Sequence, residues 1–115
     1  MHHYVMLFRG TRTLTPEELQ TRAKEIRDWV QQVTAMGIHL DPRPLGDTVA
    51  NLSSQGDTTI SHNDPTDRSL LTMVYFDAAD NAKALEVARI HPGLHYGVTV
   101  ELRQWAPPLP LNVKP

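Results

Sequence analysis

The loop "SHNDPTD" contains the residue types that acid–base chemistry needs. His62 lies close to two carboxylates, Asp64 and Asp67. A histidine titrates near neutral pH, and a neighbouring carboxylate can orient its ring or accept a proton. His62 and Asp64 are therefore candidate catalytic residues. The alternative is an ordinary turn, because Asn and Asp side chains in such sequences commonly hydrogen-bond to their own backbone.

The segment "ARIHPGLHYG" contains two more histidines, His91 and His95, four residues apart. On one helix this spacing would suit two ligands of a metal ion. Pro92 disfavours helical backbone at His91, and Gly93 permits a turn, so the helix should end at or before His91. We therefore predict no metal site. His91 is instead expected at a helix end, where a charged ring would interact favourably with the helix dipole, or in a cleft as a third catalytic candidate.

Four further residues are candidates for contacting a ligand. Trp29 extends an apolar stripe of the first predicted helix, where packing in the core is the ordinary role and stacking in a cleft is the alternative. Arg9, Glu101 and Arg103 lie at or near the ends of predicted strands. They are either solvated charges at a sheet edge or polar groups of a pocket.

The composition excludes several classes of protein. The chain has 115 residues, a net charge of -2 and no cysteine. Without a basic stripe, we expect no nucleic-acid partner. Without cysteine there is no disulfide or thiolate site, which fits the cytoplasm. No apolar run approaches the roughly 20 residues of a membrane span, and no signal-peptide pattern opens the chain, so no membrane partner is expected. Phosphate-binding and zinc-protease motifs are absent, and we predict no cofactor.

Hydrophobic periodicity predicts the elements that position these residues. Strands are predicted in "YVMLFRG", "SLLTMVYF" and the alternating "GVTVELRQW", and a hairpin of "TVANL" and "TTIS" is predicted around Gly56. The first helix is expected to begin at Thr15 with a capping box to Glu18, a residue also spaced to pair with Arg22, and to end at Gly37. Its predicted apolar stripe consists of Leu19, Ala23, Ile26, Val30 and Val33.

A second helix is predicted in "DAADNAKALEVARI", with Asp77 as its cap. Its predicted apolar face consists of Ala78, Ala82, Leu85 and Ala88.

The order of these elements predicts an α+β fold, a ferredoxin-like βαββαβ antiparallel sheet with two helices on one face. One domain is expected over residues 1–106, followed by a proline-rich tail over 107–115. The strands predicted in "YVMLFRG" and "SLLTMVYF" are apolar on both faces, and such strands need cover on both. The two helices cover one face only. A second copy of the chain is therefore expected to cover the other, giving a homodimer packed sheet to sheet.

The stretches "YVMLFRG", "TPEELQ", "ALEVARIHPGL" and "VTVELRQW" resemble the YCII-related proteins, and among them the DGPF branch, over most of residues 3–105. The resemblance implies a dimeric α+β barrel, and most members have no assigned reaction. The Asp-Gly-Pro-Phe motif is degraded here to "NDPTD", in which Asp64 and Pro65 correspond. Some YCII-type members pair a helix-one histidine with the loop aspartate. Residues 15–36 contain no histidine, so that pair does not carry over.

Three functions remain open from the sequence. The first is a YCII-related homodimer with a small-molecule cleft near the sheet and the 61–68 loop. If it is catalytic, we expect acid–base chemistry without an organic cofactor: His62 or His91 moves the proton, Asp64 orients or accepts, and Arg103 holds an anion. The second is a non-enzymatic ligand-binding or protein-interaction module, which the proline-rich tail would fit. The third is a cofactor-free monooxygenase of the dimeric barrel class.

Overall fold

The computed structural model describes residues 1–64 and 68–105 of the chain. The proline-rich tail predicted over 107–115 lies outside the described residues, as does Asp67. Within the described ranges the elements, in chain order, are β1 (His2–Gly10), α1 (Pro16–Ala35), β2 (Asp41–Pro44), β3 (Asn51–Gln55), β4 (Thr58–His62), β5 (Leu70–Ala78), α2 (Asn81–Arg89), a short 3-10 helix (Pro92–His95) and β6 (Val98–Gln104).

Four strands form one antiparallel sheet in the order β2-β5-β1-β6. The predicted α+β class, with two helices and an antiparallel sheet, is therefore confirmed. The two strands that are apolar on both faces, β1 and β5, lie in the centre, and the alternating β6 lies at an edge. Strand β2 lies at the other edge and was not predicted. It contains Pro42 and Pro44, which lack the N–H that an interior strand needs and are tolerated at an edge.

The core lies between one face of the sheet and both helices. Tyr4, Met6 and Phe8 alternate along β1 and are at most 5% exposed. Because alternate residues of a strand share a face, these three side chains define the inner face. The other buried members of this core are Trp29, Val33, Ile38, Leu40, Val74, Phe76, Ala78, Ala84, Val87, Ala88 and Val98.

The opposite face of the sheet carries a different set of side chains. Val5 and Leu7 point to this outer face and do not belong to the core between sheet and helices. The rings of Tyr75 and Trp105 stack here with their centroids 5.3 Å apart. Charged pairs flank the apolar centre, among them Arg9 with Glu101. The described helices pack against the inner face, so no helix of residues 1–64 and 68–105 covers the outer face.

The N-terminus of helix α1 is confirmed as predicted. The Thr15 hydroxyl accepts from the Glu18 N–H at 3.2 Å, and the Glu18 carboxylate accepts from the Thr15 N–H at 3.1 Å. The predicted Glu18–Arg22 pair is wrong, because both terminal nitrogens of Arg12 donate to Glu18, at 2.8 and 3.1 Å. These bonds from Arg12, helped by the Thr15 N–H, lower the pKa of Glu18 to about 2.

The buried face of α1 is rotated from the predicted stripe. Leu19 and Val30 are 45% and 38% exposed, whereas Trp29 and Val33 are buried. Residues three and four apart share a helix face, so the inner face runs through positions 22, 26, 29 and 33. An arginine therefore occupies the first position of a face that is otherwise apolar. Gly37 follows the helix with φ of 82°, the left-handed conformation expected of a terminating glycine.

Helix α2 begins later than predicted. The side chain of Asp80, and not that of Asp77, caps it by accepting from the Lys83 N–H at 2.9 Å. Asp77 continues β5 and lies opposite His3 of β1, because the sheet ladder extends beyond the apolar run. The predicted apolar face is wrong for Ala82 and Leu85, whereas Ala88 is buried as predicted and Ala78 is buried at the end of β5. The buried residues of this helix are Ala84, Val87 and Ala88, whereas Ala82 and Leu85 are exposed.

The predicted hairpin is confirmed as β3 and β4, which pair antiparallel in a separate two-stranded sheet. Its first strand begins at Asn51, later than the predicted "TVANL", and Gly56 adopts φ of 60° in the turn. No helix within the described residues is both long and apolar enough to cross a membrane.

Candidate ligand-binding site

A cavity of about 300 Å³ lies between helix α1, the sheet and the 3-10 helix. Ile26 and Val30 line it from the helix, and Val74 lines it from β5. Ligand pockets in proteins occupy about 300–1,000 Å³, so this cavity suits a small molecule such as a single substituted ring. Its wall is predominantly apolar, which favours a ligand with a hydrophobic body.

Trp29 forms a rigid part of the wall. Its side chain is 5% exposed, and its indole N–H donates to the Val87 carbonyl of α2 at 3.1 Å. A buried indole N–H needs such a partner, and this bond joins the two helices. The indole is therefore both a core side chain and a surface of the cavity, so the two roles predicted for Trp29 are not exclusive.

His91 lines the cavity from the segment between α2 and the 3-10 helix. It is 8% exposed, and its ring packs between those of Phe8 and Trp29, each centroid 4.5 Å away. Helix α2 has ended at Arg89, and Pro92 opens the 3-10 helix that follows. His91 caps that helix: its Nδ1 accepts from the Gly93 N–H at 2.9 Å. The cap fixes the ring, and it leaves the proton of the neutral imidazole on Nε2.

The electrostatic environment keeps His91 uncharged. Burial among aromatic rings lowers its pKa from 6.5 to about 4, and the positive charge of Arg22 acts in the same direction. The prediction of a charged ring interacting with a helix dipole is therefore wrong. At neutral pH His91 offers the cavity an N–H donor, and its low pKa makes it a weak base.

Arg22 is the second polar residue of the cavity. Its Nε is buried and has no hydrogen-bond partner among the described residues. The neighbouring glutamates on the helix are engaged elsewhere, since Glu18 binds Arg12 and Glu25 accepts from the Tyr96 hydroxyl at 3.1 Å. Buried polar atoms are usually paired, so this N–H is a donor available to a ligand.

The cavity contains donors and no acidic group. Arg22, Thr72 and His91 are the polar side chains among the described residues that line it, and none is a carboxylate. The arrangement can accordingly bind an acceptor group while the apolar wall holds the rest of the molecule. Sequence reasoning did not identify Arg22. The sequence pattern that could have identified it is the spacing of Arg22 from Ile26 and Trp29, which places this cationic side chain on the buried face of the helix.

His62 and Asp64 lie elsewhere. His62 ends β4 of the hairpin and is exposed, and Asp64 is exposed in the following loop. The Asp64 carboxylate accepts from Arg68 at 3.1 Å, and its backbone carbonyl accepts from Asn51 at 3.2 Å. Neither residue lines the cavity that contains His91. The three candidate catalytic residues are thus not brought together within the described chain.

Arg9, Glu101 and Arg103 form a charged group on the outer face of the sheet. Arg9 donates to Glu101 at 2.8 Å, and Arg103 lies 3.7 Å from the other carboxylate oxygen. All three are at least partly exposed, and they are separate from the cavity beneath α1. Trp29 alone of the four predicted ligand-contacting residues lines that cavity.

The second histidine of the original pair, His95, is exposed on the 3-10 helix, whereas His91 is buried. No group of three or more His, Cys, Asp or Glu residues in the described parts of the chain is arranged to hold a metal ion.

Comparison of the chain with models of protein families found no match, and comparison with curated proteins found none. The interpretation of the site therefore depends on its geometry.

Proposed function

We propose that the protein binds a small organic molecule in the cavity beneath α1. The observation that carries this proposal is the combination of an apolar cavity with two hydrogen-bond donors, Arg22 and His91. Ligand sites are typically concave and apolar with a few polar groups that orient the ligand. His91 acts here as a hydrogen-bond donor. Acid–base roles for His62 and Asp64 stay predictions, separate from this cavity.

We also propose that the chain is a YCII-related homodimer with a ferredoxin-like fold. The strand order β2-β5-β1-β6 supports the fold. The outer face of the sheet supports the dimer, because no helix of the described residues covers it and the ring of Trp105, stacked on Tyr75, is 47% exposed there. A two-fold axis would place this face against itself and give each copy the second layer that its central strands need.

Binding in the cavity can be tested by NMR with benzyl alcohol as a neutral single-ring probe. The chain has two tryptophans, so the two indole N–H resonances separate the cavity from the outer face. We expect a saturable shift of the Trp29 resonance, because its ring forms the cavity wall, and little change at Trp105.

The substitution Val30→Phe should weaken this binding by filling the cavity from the helix side. Gln31→Phe, on the exposed side of the same helix, is the matched control and should bind the probe like the wild type. A Trp29 resonance that does not saturate, or equal binding by both variants, would contradict the proposed cavity.

The homodimer is tested by sedimentation velocity at micromolar concentration. We expect Trp105→Lys to dissociate the dimer, because it replaces the exposed aromatic ring stacked on Tyr75 with a charge. Leu85→Lys is the control, since Leu85 on α2 is similarly exposed, at 45% against 47% for Trp105. A compact wild-type monomer at this concentration would refute the dimer without affecting the proposal for the cavity.

A further inference from the structure

We infer that the ligand of the cavity is a small organic monocarboxylate whose carboxylate is bound by Arg22 and His91. This inference rests on the proposed function and specifies the chemical class of its ligand. The residues that carry it are the two donors, and the apolar wall of the cavity accounts for the rest of the molecule.

The charge of the cavity favours an anion. Among the described residues of its lining, Arg22 is the only ionised side chain at neutral pH, since His91 is uncharged and no carboxylate is present. The Arg22 side chain is half-buried with its Nε fully buried, and a cation partly removed from water is costly without a counter-charge. Its own helix does not supply one, because Glu18 and Glu25 bind Arg12 and Tyr96. A ligand carrying one negative charge would neutralise the cavity, whereas a dianion would leave one charge uncompensated.

The shape of the donors favours a carboxylate in particular. A guanidinium presents parallel N–H groups that match the two oxygens of a carboxylate, and the buried Nε of Arg22 is one of these groups. The Nε2 proton of His91 supplies a neutral donor, because Nδ1 is occupied by the Gly93 N–H. The cap on Gly93 and the flanking rings of Phe8 and Trp29 fix this donor in place.

The volume of the cavity limits the rest of the ligand. About 300 Å³ with an apolar wall accommodates a single ring or a compact branched chain. Trp29 provides a fixed aromatic edge for such a body, since its indole is held by Val87. Phenylacetate satisfies both requirements and is a suitable probe, and phenylacetamide is its neutral counterpart of nearly identical shape.

The experiment measures the dissociation constants of phenylacetate and phenylacetamide at pH 7 by titration of the Trp29 indole resonance. Because hydrogen bonds between charged groups are stronger than those between neutral groups, we expect phenylacetate to bind at least about tenfold more tightly. Arg22→Gln should abolish this preference, and Arg22→Lys should retain part of it, because the charge remains without the planar fork. Arg27→Gln, an exposed arginine on the same helix, makes the same charge change and should keep the preference.

Two variants separate the roles of the His91 nitrogens. His91→Asn keeps an acceptor for the Gly93 N–H but removes the donor to the cavity, whereas His91→Gln can keep an N–H near the position of Nε2. We expect Asn to weaken phenylacetate binding severalfold while phenylacetamide binding changes less, and Gln to recover part of the loss. The wild-type-like resonance of Trp105, which stacks on Tyr75 on the outer face, verifies that each variant is folded.

The outcomes distinguish this inference from the proposed function. If benzyl alcohol or phenylacetamide binds as tightly as phenylacetate, or if Arg22→Gln keeps the preference, the inference is overturned and the cavity remains a ligand site. Competition by inorganic phosphate at the same concentration as phenylacetate would also overturn it, because the site would then recognise a bare anion. If none of the three organic probes shifts Trp29, both the inference and the proposed function fail.

Discussion

Acidification is expected to destabilise the protein through His91, in a pH range set by its burial. The pKa of this residue is about 4 in the folded chain, against 6.5 for an ordinary histidine. Between these two values the unfolded chain carries a proton on His91 and the folded chain does not. Folding stability attributable to this group is therefore fully present above pH 6.5 and is lost as the pH falls towards 4.

The magnitude follows from the size of the pKa difference. One pKa unit corresponds to about 1.4 kcal/mol, so the whole displacement from 6.5 to about 4 is worth about 3 kcal/mol of unfolding free energy. Between pH 7 and pH 5 the expected loss is about 2 kcal/mol. Glu18 does not interfere in this interval, because its pKa is lowered from 4.5 to about 2 and its contribution is lost only in more acidic solution.

This contribution is isolated by urea unfolding of the wild type and of His91→Asn. Both proteins are measured at one protein concentration and at several pH values between 7 and 5. Asparagine does not titrate, and it is a favourable N-cap residue that can accept from the Gly93 N–H. Its smaller volume lowers stability by an amount that does not depend on pH. We expect the wild type to lose about 2 kcal/mol more than the variant over this interval. Parallel losses in both proteins would refute the assignment of a buried, neutral His91.

Three further substitutions test the cavity wall and the N-terminal cap of α1. Arg22→Met should raise the unfolding free energy of the ligand-free protein by about 1 kcal/mol, because it removes an unsatisfied buried donor. The control Arg27→Met should not raise it. A lower unfolding free energy of Arg22→Met would contradict the conclusion that the Arg22 Nε has no hydrogen-bond partner. Thr15→Ala should cost about 1 kcal/mol in urea unfolding by removing the cap of α1, and equal stability of this variant and the exposed-site control Thr13→Ala would argue against the cap. Trp29→Phe should cost about 1–2 kcal/mol, because α2 loses its hydrogen bond to α1, and an unchanged urea midpoint would show that this bond contributes little.

The sequence by itself determined the elements whose signals are local. The capping box of Thr15 and Glu18, the end of the helix before Pro92 and the hairpin around Gly56 are all decided by residues within a few positions of each other. The central positions of β1 and β5 follow from strands that are apolar on both faces. Such patterns survive folding because backbone geometry and side-chain alternation act over short distances along the chain.

Only the tertiary structure decided the site. The phase of the buried face of α1 depends on which side chain reaches α2, and that is Trp29, whose partner Val87 lies 58 residues away. Glu18 could pair with Arg22 or with Arg12, and the fold brings Arg12 to it. The uncharged state of His91 likewise results from Phe8 and Trp29, which are distant in sequence. Desolvation and the pairing of charges depend on neighbours in space, and a pattern of spacing along one chain does not contain them.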